Sequence, residues 1–448
     1  MHKAPSVRWK ALLFALLLSP LTALAAPAAS TQRWLVATDL WGTNAYATLE
    51  LVRNGDRLSG TLDGDALEGT ASTGTLRFTA RDGKGDAYTY EGRMAGTRFT
   101  GEADWPDSNH PGVRIRHRFA ARLLPERPAG GPQQHRFEPP DFSNLFTADR
   151  EPVLTIWPGD TVHTRTIDSG GVDEHGVTRA LFGNPQTGPF FISGAEPGDT
   201  LVVHLVKLTL NRDWADSLDT IVGRALGGSL AGRAGDLGKP VRWTLDRKAG
   251  VARPEGAKGA LQGFAVPLRP MLGGLGLAPG FGSAPMSTGD TGRSGGNMDF
   301  PEVVEGATVY LPVQQPGALL YLGDAHALQG DGETSQYALE TSMDVSFRVE
   351  LVKGRALPLP RVESATEIMA LGQAGSLDDA LKAASTGLVR WLEQDYGLTL
   401  SEAAQVLGSA VRYSVPNLAG RSVGVAARLP KALLPPRKIN TGAKRPAG

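Results

Sequence analysis

Alternation with a period of two recurs along this chain and restricts the elements it can build. It runs through Tyr46-Ala47-Thr48-Leu49-Glu50-Leu51-Val52, Gly74-Thr75-Leu76-Arg77-Phe78-Thr79 and Ile115-Arg116-His117-Arg118-Phe119, and later from Met343 to Leu351. Successive side chains of a strand leave opposite faces, so this pattern makes half-buried strands rather than helices. Asn54-Gly55, set between one such run and Arg57-Leu58-Ser59, suits the positive φ of a tight hairpin turn. With Gly 56 and Pro 31 in 448 residues, turns must be frequent and helices few. The expected fold class is β-dominated: a mostly antiparallel, sandwich- or barrel-like larger domain with late C-terminal helices, preceded by a small all-β domain.

That small domain is expected over residues 31–124, as five or six antiparallel strands in a sandwich or barrel. Its Trp34, Trp41 and Trp105 either line a carbohydrate groove or fill the core, the commoner use of tryptophan in a small β domain. His110 and His117 have no acidic partner at ligand spacing and read as surface residues. The run Pro125 to Gln134 is too rich in Pro, Gly and Gln to sustain a helix or strand and reads as a linker. The larger domain then spans 135–435. It opens with an echo, Pro158-Gly159-Asp160-Thr161 and Pro197-Gly198-Asp199-Thr200, in which each Pro-Gly turn launches a strand and each Asp caps the turn. Ser376 and Thr399 open two amphipathic helices near its end, and residues 436–448 read as a disordered tail.

Lys+Arg and Asp+Glu balance at 46 each, which leaves no net field to hold nucleic acid or an anionic membrane. Cysteine is absent, so disulfides, thiol nucleophiles and thiolate metal sites are excluded. Any transition-metal site must be built from histidine and carboxylate. The glycines of Pro270 to Gly276 are not followed by the Lys-Ser/Thr of a phosphate-binding loop, and a nucleotide site is rejected.

Chemistry concentrates in Gly323-Asp324-Ala325-His326-Ala327-Leu328-Gln329-Gly330-Asp331-Gly332-Glu333. Asp324 and His326 are two apart, so a strand continuing from Ala318 would present a carboxylate and an imidazole on one face. The glycines let the backbone turn tightly and approach a ligand. Such a loop suits a metal or a small polar substrate; the plainer alternative is an acidic turn joining two strands.

This stretch also carries a resemblance, together with Gly295-Gly296-Asn297-Met298-Asp299, Tyr310-Leu311-Pro312-Val313, Pro316-Gly317-Ala318-Leu319 and Glu340-Thr341. Upstream, Thr187-Gly188-Pro189 and Gly194-Ala195-Glu196-Pro197-Gly198-Asp199 extend it. In that order, over roughly residues 135 to 435, the blocks resemble the acetamidase/formamidase family, whose members hydrolyse short-chain amides to carboxylate and ammonia. Cleaving an amide needs a polarised carbonyl and an activated water, which a divalent metal could supply; Asp168, Asp299, Asp324 and His326 are the candidates to hold it, with Zn²⁺ the first choice and Ca²⁺ or Mn²⁺ the alternatives. Glu333 is the candidate proton shuttle, Glu196 is either a second catalytic group or an exposed turn residue, and Asn297 with Gly296 is the candidate substrate contact; the resemblance adds a small-molecule amide as the partner and a homo-oligomer. Two other readings stay open: a Ca²⁺-stabilised exported binding protein without catalysis, and a hydrolase of larger amides or lactams on the same scaffold.

The first residues carry an address. His2, Lys3, Arg8 and Lys10 precede the apolar run Ala11 to Leu18, and Ala23-Leu24-Ala25 supplies small residues at cleavage spacing. Ser19-Pro20 cuts the run short of a membrane span. The mature chain is therefore expected in the periplasm or outside the cell, with no membrane contact after cleavage. N-terminal sequencing of exported protein should begin near Ala26 or Pro27; exported material that retains Met1 would refute this.

Overall fold

The computed structural model describes residues 31–438, so the expected export signal lies outside the described residues, as does the tail beyond Lys438. Eight strands, from Thr31–Leu40 to Arg114–Leu123, follow one another as antiparallel neighbours and close into a barrel, with Trp34 opposite Leu123 and Asp39 opposite Arg118. Eight strands replace the expected five or six. The additional ones are poorly patterned because glycine interrupts their alternation: at Gly60, with φ +145°, a Cβ would lie 1.9 Å from the Glu50 carbonyl oxygen. Trp34, Leu49, Phe78, Tyr90, Phe99 and Phe119 fill the interior, and the rings of Phe78 and Tyr90 stack at 5.2 Å. Trp34 is thus core, while Trp41 is exposed on a hairpin tip. His117 is buried rather than superficial, packed edge-on against Trp41 and Trp105, and exposed His110 does have an acidic partner in Asp107.

The larger domain is β-dominated as expected. A nine-stranded sheet is centred on Thr200–Leu210 and Met343–Val352, and an eleven-stranded sheet contains Leu320–His326 and Met271–Leu277. Leu201, Val203 and Phe347 of the first share one apolar core with Leu272, Leu275 and Leu322 of the second, so the two sheets pack face to face. Leu320–His326 and Met271–Leu277 are buried at every residue, which explains why neither shows clean alternation. The helices Leu377–Trp391 and Leu400–Ala410 come late and cover the outer strands, each opened by a side-chain cap from Ser376 or Thr399.

Both turn aspartates act as caps, and each also ties in a second segment. Asp160 accepts from the Trp157 and Gln133 amides and from His135. Asp199 accepts from the Glu196 and Gly354 amides and from Lys353. Burial of Asp160 raises its carboxyl, but the bonds from Gln133, His135 and Trp157 outweigh this and leave it below its ordinary value. A depressed carboxyl stabilises the folded state above its unfolded pKa, and that contribution is lost as pH falls through the folded value. Asp160→Asn is expected to cost about 1–3 kcal/mol at neutral pH, measured by denaturant unfolding. The difference from wild type should shrink as the pH is taken below the ordinary aspartate range.

Candidate active site

Two neighbouring strands of the eleven-stranded sheet and the short strand Glu340–Thr341 build the site. Asp324 and His326 close the strand Leu320–His326, and His326 lies directly across from Glu340 in the antiparallel ladder, so their side chains leave the same face. On the other side runs Met271–Leu277, with Gly273 at the level of Asp324. Any side chain at Gly273 would collide with the acids: a Cβ there would sit 2.4 Å from Asp324 Oδ2 and 2.5 Å from Asp299 Oδ1. The Gly273 carbonyl accepts from the Met298 and Asp299 amides, which brings Asp299 over the same spot. Asp299, Asp324 and Glu333 all have left-handed backbones, with φ of 42°, 55° and 44°. Such a conformation costs a non-glycine residue roughly 1–2 kcal/mol and persists only where its surroundings impose it.

Two groups of metal-ligating side chains share His326: Asp299, His326 and Glu333, and Asp324, His326 and Glu340, the ligand atoms of each group lying within 4.8 Å of one another. His326 Nε2 is 3.2 Å from Glu340 Oε1 and 3.4 Å from Asp324 Oδ1. All five residues are buried. The side-chain amide of Gln329 settles the imidazole tautomer. Its nitrogen donates to the Asp299 and Pro416 carbonyls, so its oxygen must face His326 Nδ1 at 2.9 Å, and Nδ1 is the donor. Nε2 therefore points its lone pair, or a second proton, at the acids. Asp299 is held by two amide donors on Oδ2, from Asn297 at 2.8 Å and from Asn417.

Four carboxyl groups in one dry space repel one another. Burial pushes Asp299 well above its ordinary value, and the Asp324 charge adds to this. Glu333 is raised by burial and by Asp299, and Glu340 by burial against the opposing pull of His326. Burial alone would lower His326, but Glu340 and Asp324 reverse this and hold it well above the usual imidazole range. The environment thus favours added positive charge. Asp299 Oδ1, both Asp324 carboxylate oxygens, His326 Nε2 and Glu340 Oε2 have no hydrogen-bond partner among the described residues. Buried acceptors are rarely left unpaired, and this set of hard oxygens with one imidazole nitrogen fits a divalent cation.

The acetamidase/formamidase family matches over residues 282–365, which contain Asp299, Asp324, His326, Glu333 and Glu340. A Schizosaccharomyces pombe protein named as a formamidase is 40% identical over 62 residues, and the acetamidase of Mycolicibacterium smegmatis is 38% identical over 63. Each alignment covers 14% of this chain, and they span only 15% and 16% of those relatives' own lengths. In three dimensions the likeness is wider: the crystal structure of acetamidase from Yersinia enterocolitica superposes with a TM-score of 0.59 at 29% identity, over 68% of this chain and 94% of that one. The chain is similar to the acetamidase/formamidase family, in sequence over residues 282–365 and in fold over most of the larger domain.

In this acetamidase/formamidase relative, Asp299, Asp324, His326 and Glu333 come together from the positions the sequence suggested. Asp168 does not join them. Its Oδ2 accepts from Arg212 at 2.7 Å and its Oδ1 from the Val172 amide at 2.7 Å, so both oxygens are spent. Arg212 in turn donates to the Glu340 carbonyl and Thr341 Oγ1. Asp168 therefore neutralises the arginine that braces the Glu340 strand, one layer out. Glu196 is not at the cluster either; Thr48 and Arg33 of the barrel bind it, because its turn faces the barrel. Asn297 was expected at the substrate, but both ends of its amide are engaged, with Asp299 and with Asn184 at 2.9 Å. Gly296 is a buried ladder residue between Leu275 and Thr291, where a Cβ would lie 2.4 Å from the Asp290 carbonyl oxygen, and it presents nothing to a substrate.

Glu340, Gln329, Asn417 and Gly273 were not singled out from sequence. Glu340 stood within a resembling block, but only strand pairing reveals that it opposes His326. Asn417 arrives from a loop 118 positions after Asp299. Asn417→Ala should leave the fold intact and weaken divalent-metal affinity by roughly 10–100-fold, the usual loss when a ligand's supporting hydrogen bond is removed. Competition with a chromophoric chelator measures this, and unchanged affinity would mean that Asn417 does not hold Asp299 for a metal.

Proposed function

We propose that this protein is a metal-dependent amidohydrolase that cleaves linear amides of the formamide and acetamide type to the carboxylate and ammonia. The observation that carries the reading is the buried convergence of Asp299, Asp324, Glu340 and His326 with their inward atoms unpaired, in a chain similar to this family. These four residues would hold the ion, and Glu333 would stand beside it. A bound divalent ion supplies polarisation of the amide carbonyl and a lowered pKa for water.

The chain's own residues supply the rest. Gln329 keeps His326 Nδ1 as donor and so keeps Nε2 turned to the acids. Asn297 and Asn417 fix Asp299 by one oxygen and leave the other facing inward. Glu333 belongs to the Asp299 and His326 group and also lines a surface cavity, so an amide entering through that cavity would meet it before the cluster. From there it can take a proton from the attacking water and return it to the departing nitrogen. The balance is simple: the water oxygen joins the acyl carbon, the C–N bond breaks, and the nitrogen leaves as ammonia with the proton that Glu333 carried.

Acetamide and formamide hydrolysis is expected to cease with a strong chelator and to return with Zn²⁺ or Mn²⁺. His326→Ala should lose bound metal and turnover together. Glu333→Gln keeps the shape and the metal but should lower kcat by roughly 10²-fold or more. Metal analysis alongside the rate separates the two variants, and a His326→Ala protein that keeps both its metal and its rate would refute the site.

A further inference from the structure

Beside Glu333 lies a cavity of about 280 Å³ whose floor is Gln329 and Glu333, the same residues that border the acid cluster. Part of its wall is apolar, formed by Trp243, Phe264, Val266, Leu328 and Leu339, beside the hydroxyl-bearing Ser217, Thr334 and Ser335. Much of this wall comes from an extension of the sheet, in which Pro240–Asp246 pairs with Trp214–Leu218 and with Val251–Pro254, and the last of these with Val266–Pro267. Trp243 is fixed in orientation because its indole Nε1 donates to Ser217 Oγ at 2.9 Å. Phe264 stands edge-on to it, 6.3 Å between ring centroids, yet remains 44% exposed. Two aromatic rings, one locked and one half-free, thus line the same cavity as Glu333.

A formyl or acetyl group is too small to use this wall. The cavity lies near the lower edge of the ~300–1,000 Å³ typical of small-ligand sites. No Lys, Arg or His lines it, whereas Asp331 and Glu333 do, so an acyl group carrying its own carboxylate would meet only like charge. A neutral apolar group would gain contact with Trp243 and Phe264 without burying an unpaired charge.

Building on the amidase reading above, we propose that this cavity is an acyl-group subsite, and that the preferred substrates are primary amides of arylacetic or branched apolar acids. The carboxamide lies against Glu333 and its substituent against the face presented by Trp243 and Phe264.

Steady-state kinetics of the full-length, metal-loaded protein on phenylacetamide and acetamide test this. The value of kcat/KM for phenylacetamide should exceed that for acetamide by about tenfold or more, since each well-placed apolar group contributes at least that factor. Phe264→Ala trims a side chain that is largely outside the core and should lower the ratio of the two values by about tenfold. A wild-type ratio at or below one, or a ratio that Phe264→Ala leaves unchanged, overturns the inference and leaves the amidase reading standing if acetamide is hydrolysed. Hydrolysis of neither amide overturns both.

Discussion

Mutual repulsion among buried carboxylates is the constraint to which the rest of the larger domain answers. Asp299, Asp324, Glu333 and Glu340 are packed around one imidazole with almost no solvent. Isolated charges in such surroundings are costly unless paired, hydrogen-bonded or bound to a cation. Two of the acids, Asp299 and Glu340, are held in place by groups that leave an inward oxygen free. Two side-chain amides hold Asp299, the Ala338 amide and His326 hold Glu340, and Gln329 orients His326 from behind. Backbone placed in left-handed geometry at three of the four acids is the conformational cost of bringing them so close.

Gly273 shows the same constraint from the other side. A strand buried on both faces would normally fill such a position with a branched side chain. Here the space above the backbone is given to the carboxylates of Asp324 and Asp299, and the carbonyl of the same residue anchors the turn that delivers Asp299. The glycine run of Met271–Leu277, which in the sequence could only be dismissed as a phosphate loop, is thus the floor of the acid cluster. The C-terminal loop closes the opposite side: the Gly332 amide donates to the Pro416 carbonyl and the Leu418 amide to that of Gly332, while Arg224 donates to the carbonyls of Leu418 and Arg421.

What could be read from sequence follows the range of the interactions. Asp324 and His326 were legible because their chemistry is local, two positions apart on one strand. The β-dominated class and the capped helices were legible because alternation and caps are also local. Asp168 and Glu196 misled for one shared reason: a carboxylate beside a glycine or proline turn looks free in sequence, and its partner is distant. Arg212 lies 44 positions from Asp168, and Thr48 lies 148 positions from Glu196. Glu340 and Asn417 escaped notice for the converse reason, since only strand pairing and loop closure bring them to His326 and Asp299.

The barrel's relation to the site follows from where it touches. Its Leu35, with Leu124 just beyond its last strand, packs with Phe191, Ala278 and Leu319. Ala278 follows Met271–Leu277, Leu319 precedes Leu320–His326, and the Ala278 amide donates to the Leu319 carbonyl. The barrel therefore clamps one end of the two strands whose other end carries the acids. From Gly273 to Leu277 is four residues, roughly 13 Å of strand at the usual rise. None of the hydrogen bonds that hold the five clustered residues comes from the barrel, and its interior is filled with aromatic side chains rather than open to a ligand. The barrel thus acts on this strand pair as restraint on the position of its ends and not as a chemical group, beside its polar contacts to Glu196 and Asp149.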